Sequence, residues 1–366
     1  DRRDAAASFH HHLAAYALDT TLVRAVVAAA YMAPSRQGKD SLAQLAMERR
    51  HLLTRRGQLD LDLLTANLAG DREAALEAIR GLARMEPGGF SSLLEARFAM
   101  GLNLPGEGMK ATERYDPNPD WRRGEADRYW LYRAEALHML DRYEDELAEA
   151  RTGRERYPTH TGLLREEIRA LAALGRADEV SELLLEGRSL PGIRESEAVV
   201  AGMELRAHGY PDAARRVFNQ TADWLRGSLV EGRRNGRVRL DLARALYGAE
   251  RWSEALEVAM GLLVEEPGDP EILGLVGCAA ARMGDTLQAE TFMGHLSSVN
   301  RPEGPRELHY QMATIAAVLG RPDEAMRLLN QAYSEGLRHG LQLHMEMNFE
   351  SLREREDFIA LVTPKG

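Results

Sequence analysis

The side chains with the most chemical potential in this sequence are three consecutive histidines, one cysteine and several runs of carboxylates. His10, His11 and His12 are of metal-ligand type. Neighbours on a helix, however, point about 100° apart, so three in a row cannot converge on one ion. They read as part of a helix surface. Cys278 is the only cysteine, which rules out an intramolecular disulfide and a cysteine-based metal cluster. A reactive thiol needs an adjacent His and a lowered pKa. Cys278 instead lies beside Gly277 in an apolar run and reads as a small core or groove residue. Glu144-Asp145-Glu146 and Glu265-Glu266 fall at turns and helix surfaces among arginines, the pattern of solvated faces rather than of an acid–base couple. Gly101 to Gly108 lacks both the Lys-Ser/Thr ending and the preceding strand of a phosphate loop. No catalytic residue, no metal site and no cofactor is expected, and the chain does not read as an enzyme.

The elements that would position any site announce themselves as a repeat. A turn residue, a charged or Pro neighbour and an Ala five residues on recur at Gly70 (Ala75), Gly209 (Ala214), Glu250 (Ala255), Gly284 (Ala289) and Gly320 (Ala325). Asp141 and Gly175 share the frame but carry Glu146 and Val180 at the Ala position. The distance from 141 to 175 is 34 residues, as are those from 175 to 209 and from 250 to 284; the looser gaps are 41 and 36. Seven residues before six of these turns stand Ala134, Ile168, Gly202, Ala243, Gly277 and Ala313, small in all but one case. Prolines follow at Pro87, Pro158 and Pro267, where a helix must stop. Gly or Asp ends one helix and reverses the chain, and small residues on both sides of the turn let two helices approach closely.

Composition agrees. The 366 residues are 44% hydrophobic, 28% charged and only 6% aromatic, with Ala and Leu throughout, which favours helix–helix packing. A formal charge of −10 argues against a general nucleic-acid binder. The apolar stretch Leu22 to Met32, interrupted by Arg24, is too short to span a bilayer, so no membrane insertion of this segment is expected. No signal peptide is visible, but the chain begins at Asp1, as if its natural start had been removed; cytoplasmic and extracytoplasmic settings both stay open.

With Trp130, Ala134, Tyr143 and Pro158 in frame, the 34-residue period resembles the tetratricopeptide repeat (TPR). The resemblance implies an all-α fold: a right-handed α-solenoid of roughly eight to nine antiparallel helix pairs. The expected division of this one solenoid is irregular pairs over 1–120, regular repeats over 121–335 and a C-terminal capping segment over 336–366. Within the first part, helices are expected at 4–19, 21–33 and Ser41 to Arg56, then a pair over 56–87 and a shorter pair over Gly88 to Tyr115 turning at Pro105-Gly106. The stretch Asp116 to Gly124 reads as an exposed interrepeat loop or as a domain boundary. The chain also resembles the TPR region C-terminal to the catalytic domain of bacterial Ser/Thr protein kinases and related regulators. Tyr129-Trp130, Arg156-Tyr157-Pro158, Arg169 to Arg176, Leu205 to Gly209 and Asn348 to Arg353 carry that likeness. No kinase catalytic motif accompanies it, so it implies a docking or sensory arm of a larger regulatory protein.

In TPR arrays the first helix of each pair lines a concave groove, through residues roughly thirteen, ten, six and three before the turn. Those places hold Arg165, Arg169, Arg206, Arg237, Arg244 and Tyr247. Such a groove would take an acidic peptide segment or a carboxylate of a protein partner, since guanidinium grips carboxylates bidentately; alternatively, these arginines pair with Glu166, Glu204 and Asp241. The leading functional expectation is a non-catalytic protein-binding scaffold, and the alternative is a structural subunit that self-assembles end to end. The segment from Tyr333 to Gly366 carries many apolar residues, Phe349, Leu352 and Phe358 among them. It must either fold back on the last helix pair or dock into the open N-terminal end of another copy.

Overall fold

A computed structural model describes residues 2–117, 126–187, 196–230, 236–300 and 304–365. Every regular element among them is helical, and the chain divides into two compact units, 1–125 and 126–365. From residue 118 on, the expected break before Gly124 lies outside the described residues.

The first unit holds α1 (Arg2–Leu18), α2 (Val23–Met32), α3 (Arg36–Glu48), α4 (Arg55–Ala69), α5 (Arg72–Met85), α6 (Phe90–Met100) and α7 (Pro105–Glu113). Each helix packs on the next. The expected helix from Ser41 to Arg56 is displaced at both ends, because caps decide its limits. The Ser35 side chain accepts from the Gly38 amide to start α3, and Thr54 accepts from the Gly57 amide to start α4. Pro105-Gly106 is likewise not the turn of the last hairpin. Pro105 occupies the first turn of α7, where its missing N–H costs nothing, and the reversal falls earlier, with Asn103 left-handed at φ 62°.

The second unit holds six hairpins: α8 (Asp127–Met139) with α9 (Tyr143–Arg156), α10 (Thr161–Ala173) with α11 (Ala177–Gly187), α12 (Ser196–Ala207) with α13 (Pro211–Val230), α14 (Gly236–Gly248) with α15 (Trp252–Leu263), α16 (Pro270–Arg282) with α17 (Thr286–Ser298), and α18 (Arg306–Val318) with α19 (Pro322–Ser334). The short α20 (Leu341–Met345), a 3-10 segment (Met347–Leu352) and α21 (Glu356–Val362) follow. The first helices α8, α10, α12, α14, α16 and α18 also touch one another in that order and form a layer of their own.

All seven expected turns carry a left-handed residue: Gly70, Asp141, Gly175, Gly209, Glu250, Gly284 and Gly320. At each one the following amide reaches back five residues, as in Arg142 to the Leu137 carbonyl and Asp285 to the Ala280 carbonyl, which satisfies the helix end and reverses the chain. The Ala five residues on is fully buried at Ala75, Ala255, Ala289 and Ala325, and Glu146 and Val180 are as deeply buried in the same place. The small residue before the turn has an equally direct cause. A Cβ on Gly202 would stand 2.6 Å from the Phe218 ring, and one on Gly277 would stand 2.4 Å from Ile315 Cδ1.

Two substitutions separate backbone conformation from packing. Gly284, at φ 82° with open space around it, should lose about 1 kcal/mol as Gly284→Ala, because only the left-handed turn is strained. Gly294, exposed within α17 and equally unobstructed, should gain about 0.5–1 kcal/mol as Gly294→Ala. Chemical denaturation of both variants reads the difference. Equal effects would contradict this account of the turns.

Candidate functional site

The layer of first helices borders a cavity of about 840 Å³. Five of the six groove residues read from the repeat frame line it: Arg165, Arg169, Arg237, Arg244 and Tyr247. Arg206 stands apart, in a shallower hollow beside Arg353. Their surroundings differ. Arg165 and Arg237 keep 34% and 49% of their side chains exposed, with carboxylates only at the edge of contact: Glu166 and Glu197 at 3.5 and 3.6 Å from Arg165, Asp241 at 3.5 Å from Arg237. Arg244 is closer-held, 3.1 Å from Asp241 and paired with Glu271. Burial and the neighbouring Asp241 and Arg237 set its titration, with burial and Arg237 pressing against its charge. Arg169 is buried and engaged by Glu166. Both readings of the arginines therefore meet in one groove: inner guanidiniums are paired within the chain, and outer ones still face the cavity.

The chain's own C-terminal segment enters the same groove. Arg206 Nε donates to Glu350 Oε1 at 2.5 Å while its Nη1 donates to Glu250 at 2.9 Å. The Tyr247 hydroxyl donates to Asn348 Oδ1 at 2.5 Å, and Arg353 donates to the Ala207 carbonyl at 2.9 Å. Phe349 is fully buried, edge-on to Tyr310 with ring centroids 5.7 Å apart, and it packs with Phe358. Leu343, Met347, Leu352 and Phe358 belong to the same continuous core as the repeats. Most apolar side chains of the segment are thus covered in cis, with Ile359 left exposed, and the segment also reaches well beyond the last pair. It touches α18, α12 and α8. Five helix-to-helix steps of about 8–10 Å would hold α8 and α18 roughly 40–50 Å apart in a flat layer. Twelve residues of short helix cannot bridge that at about 1.5–2 Å each. The layer must curl around the segment.

A second set of polar side chains lies inside the layer. His138, at the end of α8, places Nδ1 2.7 Å from Glu146 Oε2 of α9. Its Nε2 is 3.6 Å from Glu204 Oε2 of α12, and His208 Nε2 is 3.5 Å from the same oxygen. Arg169 Nε approaches the other oxygen, Oε1, at 3.5 Å. Burial opposes a charge on His138, but Glu204 and Glu146 outweigh it and raise His138 to about 10. Burial likewise pushes Glu204 up, and His138, His208 and Arg169 together hold it well below the usual carboxylate range. Sequence reasoning weighed His10, His11 and His12 and missed this set, because its members are up to 70 residues apart, from 138 to 208. One signal was present: Glu146 occupies a repeat position that is otherwise Ala or Val. Cys278 is buried in the core beside the cavity, 3.4 Å from Thr314 Oγ1, and burial pushes its thiol up to about 12, which keeps it protonated.

No protein-family model matches the sequence, and no curated protein does. Solved structures do resemble it. A tetratricopeptide repeat protein from Parabacteroides merdae ATCC 43184 is 14% identical, over 77% of this chain and 93% of that one, with a TM-score of 0.38. Yeast Tom70 is 11% identical, over 97% of this chain and 87% of its own, with a TM-score of 0.48. The Cut9–Hcn1 hetero-tetramer of the APC/C gives 12% identity over 82% of this chain and 61% of that one, with a TM-score of 0.34. The all-α, helix-pair architecture stands on the chain's own elements and not on these likenesses. No helix among the described residues is long and apolar enough to cross a membrane.

Two measurements probe how the C-terminal segment is held. Phe349→Ala should cost about 3–5 kcal/mol and speed proteolysis of the residues after 340, because a large buried ring leaves a cavity at the point where the segment is anchored. His339 stacks on Tyr333 at 4.1 Å, and burial, with Lys365 and His344 adding to it, lowers His339 to about 4 from 6.5. A histidine depressed in the fold favours folding above its unfolded pKa, and that contribution disappears as pH falls from about 6.5 toward 4. His339→Phe keeps the stack and removes the titration. Its stability should therefore fall less than wild type's over that range, by about 1–2 kcal/mol after discounting for partial exposure.

Proposed function

We propose that the chain is a non-catalytic protein-interaction scaffold whose groove receives an acidic, partly apolar segment of a partner. The observation that supports this reading most directly is the occupant already there. The segment from 341 to 353 lies against the first-helix layer with a carboxylate on Arg206, an amide on Tyr247 and buried Met345 and Met347. The groove thereby has the chemistry to hold a segment of that kind. The cavity beside it offers Arg165 and Arg237 to a second one, and guanidinium–carboxylate pairing there would set orientation and register. On the sequence resemblance to kinase-associated TPR regions, such a scaffold would serve as the docking arm of a larger regulatory protein. End-to-end self-assembly has weaker support, since the C-terminal apolar side chains that would drive it are largely covered within the chain, although Leu18 and Leu22 stay exposed near the N-terminus.

Binding of fluorescent ten- to fifteen-residue peptides rich in Glu, Leu and Met, with Lys-for-Glu versions as controls, tests the reading. Acidic peptides should bind, and Arg165→Glu with Arg237→Glu should weaken them by at least about tenfold, or ~1.4 kcal/mol. The salt dependence of binding should shrink in the same variant. Equal binding of acidic and basic peptides, or no binding by either, would overturn it.

A further inference from the structure

The polar set joining α8, α9 and α12 has the layout of a metal site. Glu204 is 1% exposed, and neither of its carboxylate oxygens has a hydrogen bond among the described residues. Its oxygens divide the neighbours: Arg169 faces Oε1, and the two imidazole Nε2 atoms face Oε2. The separations of 3.6 and 3.5 Å are too long for the hydrogen bonds that two imidazoles and a carboxylate would otherwise make, which run about 2.7–3.2 Å. They match the distance between two ligands of one tetrahedral cation, about 3.4 Å for metal–ligand bonds of about 2.1 Å. The three ligand atoms lie within 4.8 Å of one another.

The surroundings supply the rest of such a site. Glu146 holds His138 Nδ1 at 2.7 Å, which fixes the ring and leaves Nε2 free as a ligand, the carboxylate–histidine–metal arrangement. Charge balances as well. A divalent cation is neutralised by Glu204 and Glu146, and Arg169 by Glu166, so two neutral imidazoles complete a set with no net buried charge. Two nitrogens and one carboxylate suit Zn²⁺ and related transition cations rather than Ca²⁺ or Mg²⁺, which take oxygen.

We propose that His138 Nε2, Glu204 Oε2 and His208 Nε2 form a binding site for a divalent transition-metal cation of the Zn²⁺ class, with Glu146 positioning His138. The cation ties the α8–α9 pair to α12, two repeats further on. The short α20 of the C-terminal segment, which carries His344, touches both α8 and α12, so the site also lies close to that segment.

The test uses the full chain carrying His10→Ala, His11→Ala and His12→Ala, which removes the surface histidines as a competing source of binding. After chelator treatment, Zn²⁺ is titrated against a chromophoric chelator, and melting is followed with and without Zn²⁺. One equivalent should bind and raise the melting temperature. His208→Asn, the least buried ligand change, should weaken binding at least about tenfold and remove most of the shift, and Glu204→Gln should do the same. Glu146→Gln, outside the coordination sphere, should cost about 10–100-fold. If Glu204→Gln does not fold, His208→Asn decides alone. No stoichiometric Zn²⁺ in the triple-Ala chain, or undiminished binding in His208→Asn, would overturn the site.

Discussion

Everything in the second unit depends on how tightly two helices of a hairpin can close. Closure needs a left-handed residue at the turn, so that one backbone amide can reach back five residues and finish the first helix. It also needs a residue with almost no side chain on the facing surface. Gly202 shows how strict the second need is, since a single added carbon would meet Phe218 of the paired helix at well under contact distance, and Gly277 shows the same need between the neighbouring first helices α16 and α18, where it would meet Ile315. Where the turn is not glycine, as at Asp141 and Glu250, the chain accepts a conformation costing about 1–2 kcal/mol. The hairpin geometry holds there because helix packing on both sides over-determines it.

That constraint explains which features could be read from residues alone. Gly70, Gly175, Gly209, Gly284 and Gly320 are visible because local backbone chemistry demands them, and the Ala five residues on is visible because one packing distance repeats. Helix limits set by side-chain caps were harder to place: Ser35 and Thr54 shifted α3 and α4, since a cap is one hydrogen bond rather than a period. The frame also placed Arg165, Arg169, Arg237, Arg244 and Tyr247 on a single cavity. It could not show what each arginine meets there. Arg206 meets Glu350 from 144 residues away, a contact that depends on the curl of the layer. Curvature accumulates from small rotations at each repeat interface and has no signature in any one of them.

The C-terminal segment and the curl explain each other. A first-helix layer with an apolar, arginine-dotted inner face leaves area exposed unless something covers it. A segment carrying Met345, Met347, Phe349 and Leu352 covers it only if α8, α12 and α18 all come within reach. Each pairing is modest. The Arg206–Glu350 pair is partly exposed and contributes little by itself. Phe349, Leu352 and Phe358 do most of the holding, and the polar contacts fix where along the layer the segment lies.

A repeat array built on small residues has one difficulty: its interfaces resemble one another, so packing alone discriminates poorly between correct and shifted neighbours. Burying polar groups where most of the other repeats have Ala answers it. Glu146 stands five residues after its turn, where Ala75, Ala255, Ala289 and Ala325 stand in their repeats, and Glu204 stands five before its turn, where Ala136, Ala170, Ala245 and Ala279 do. A carboxylate in such a place is costly against any partner that cannot charge-balance it. His138 and Arg169 come to face these carboxylates only when α8, α9, α10 and α12 are stacked in this order. Electrostatics in this part of the chain thus adds its own preference for one stacking order to that of the packing.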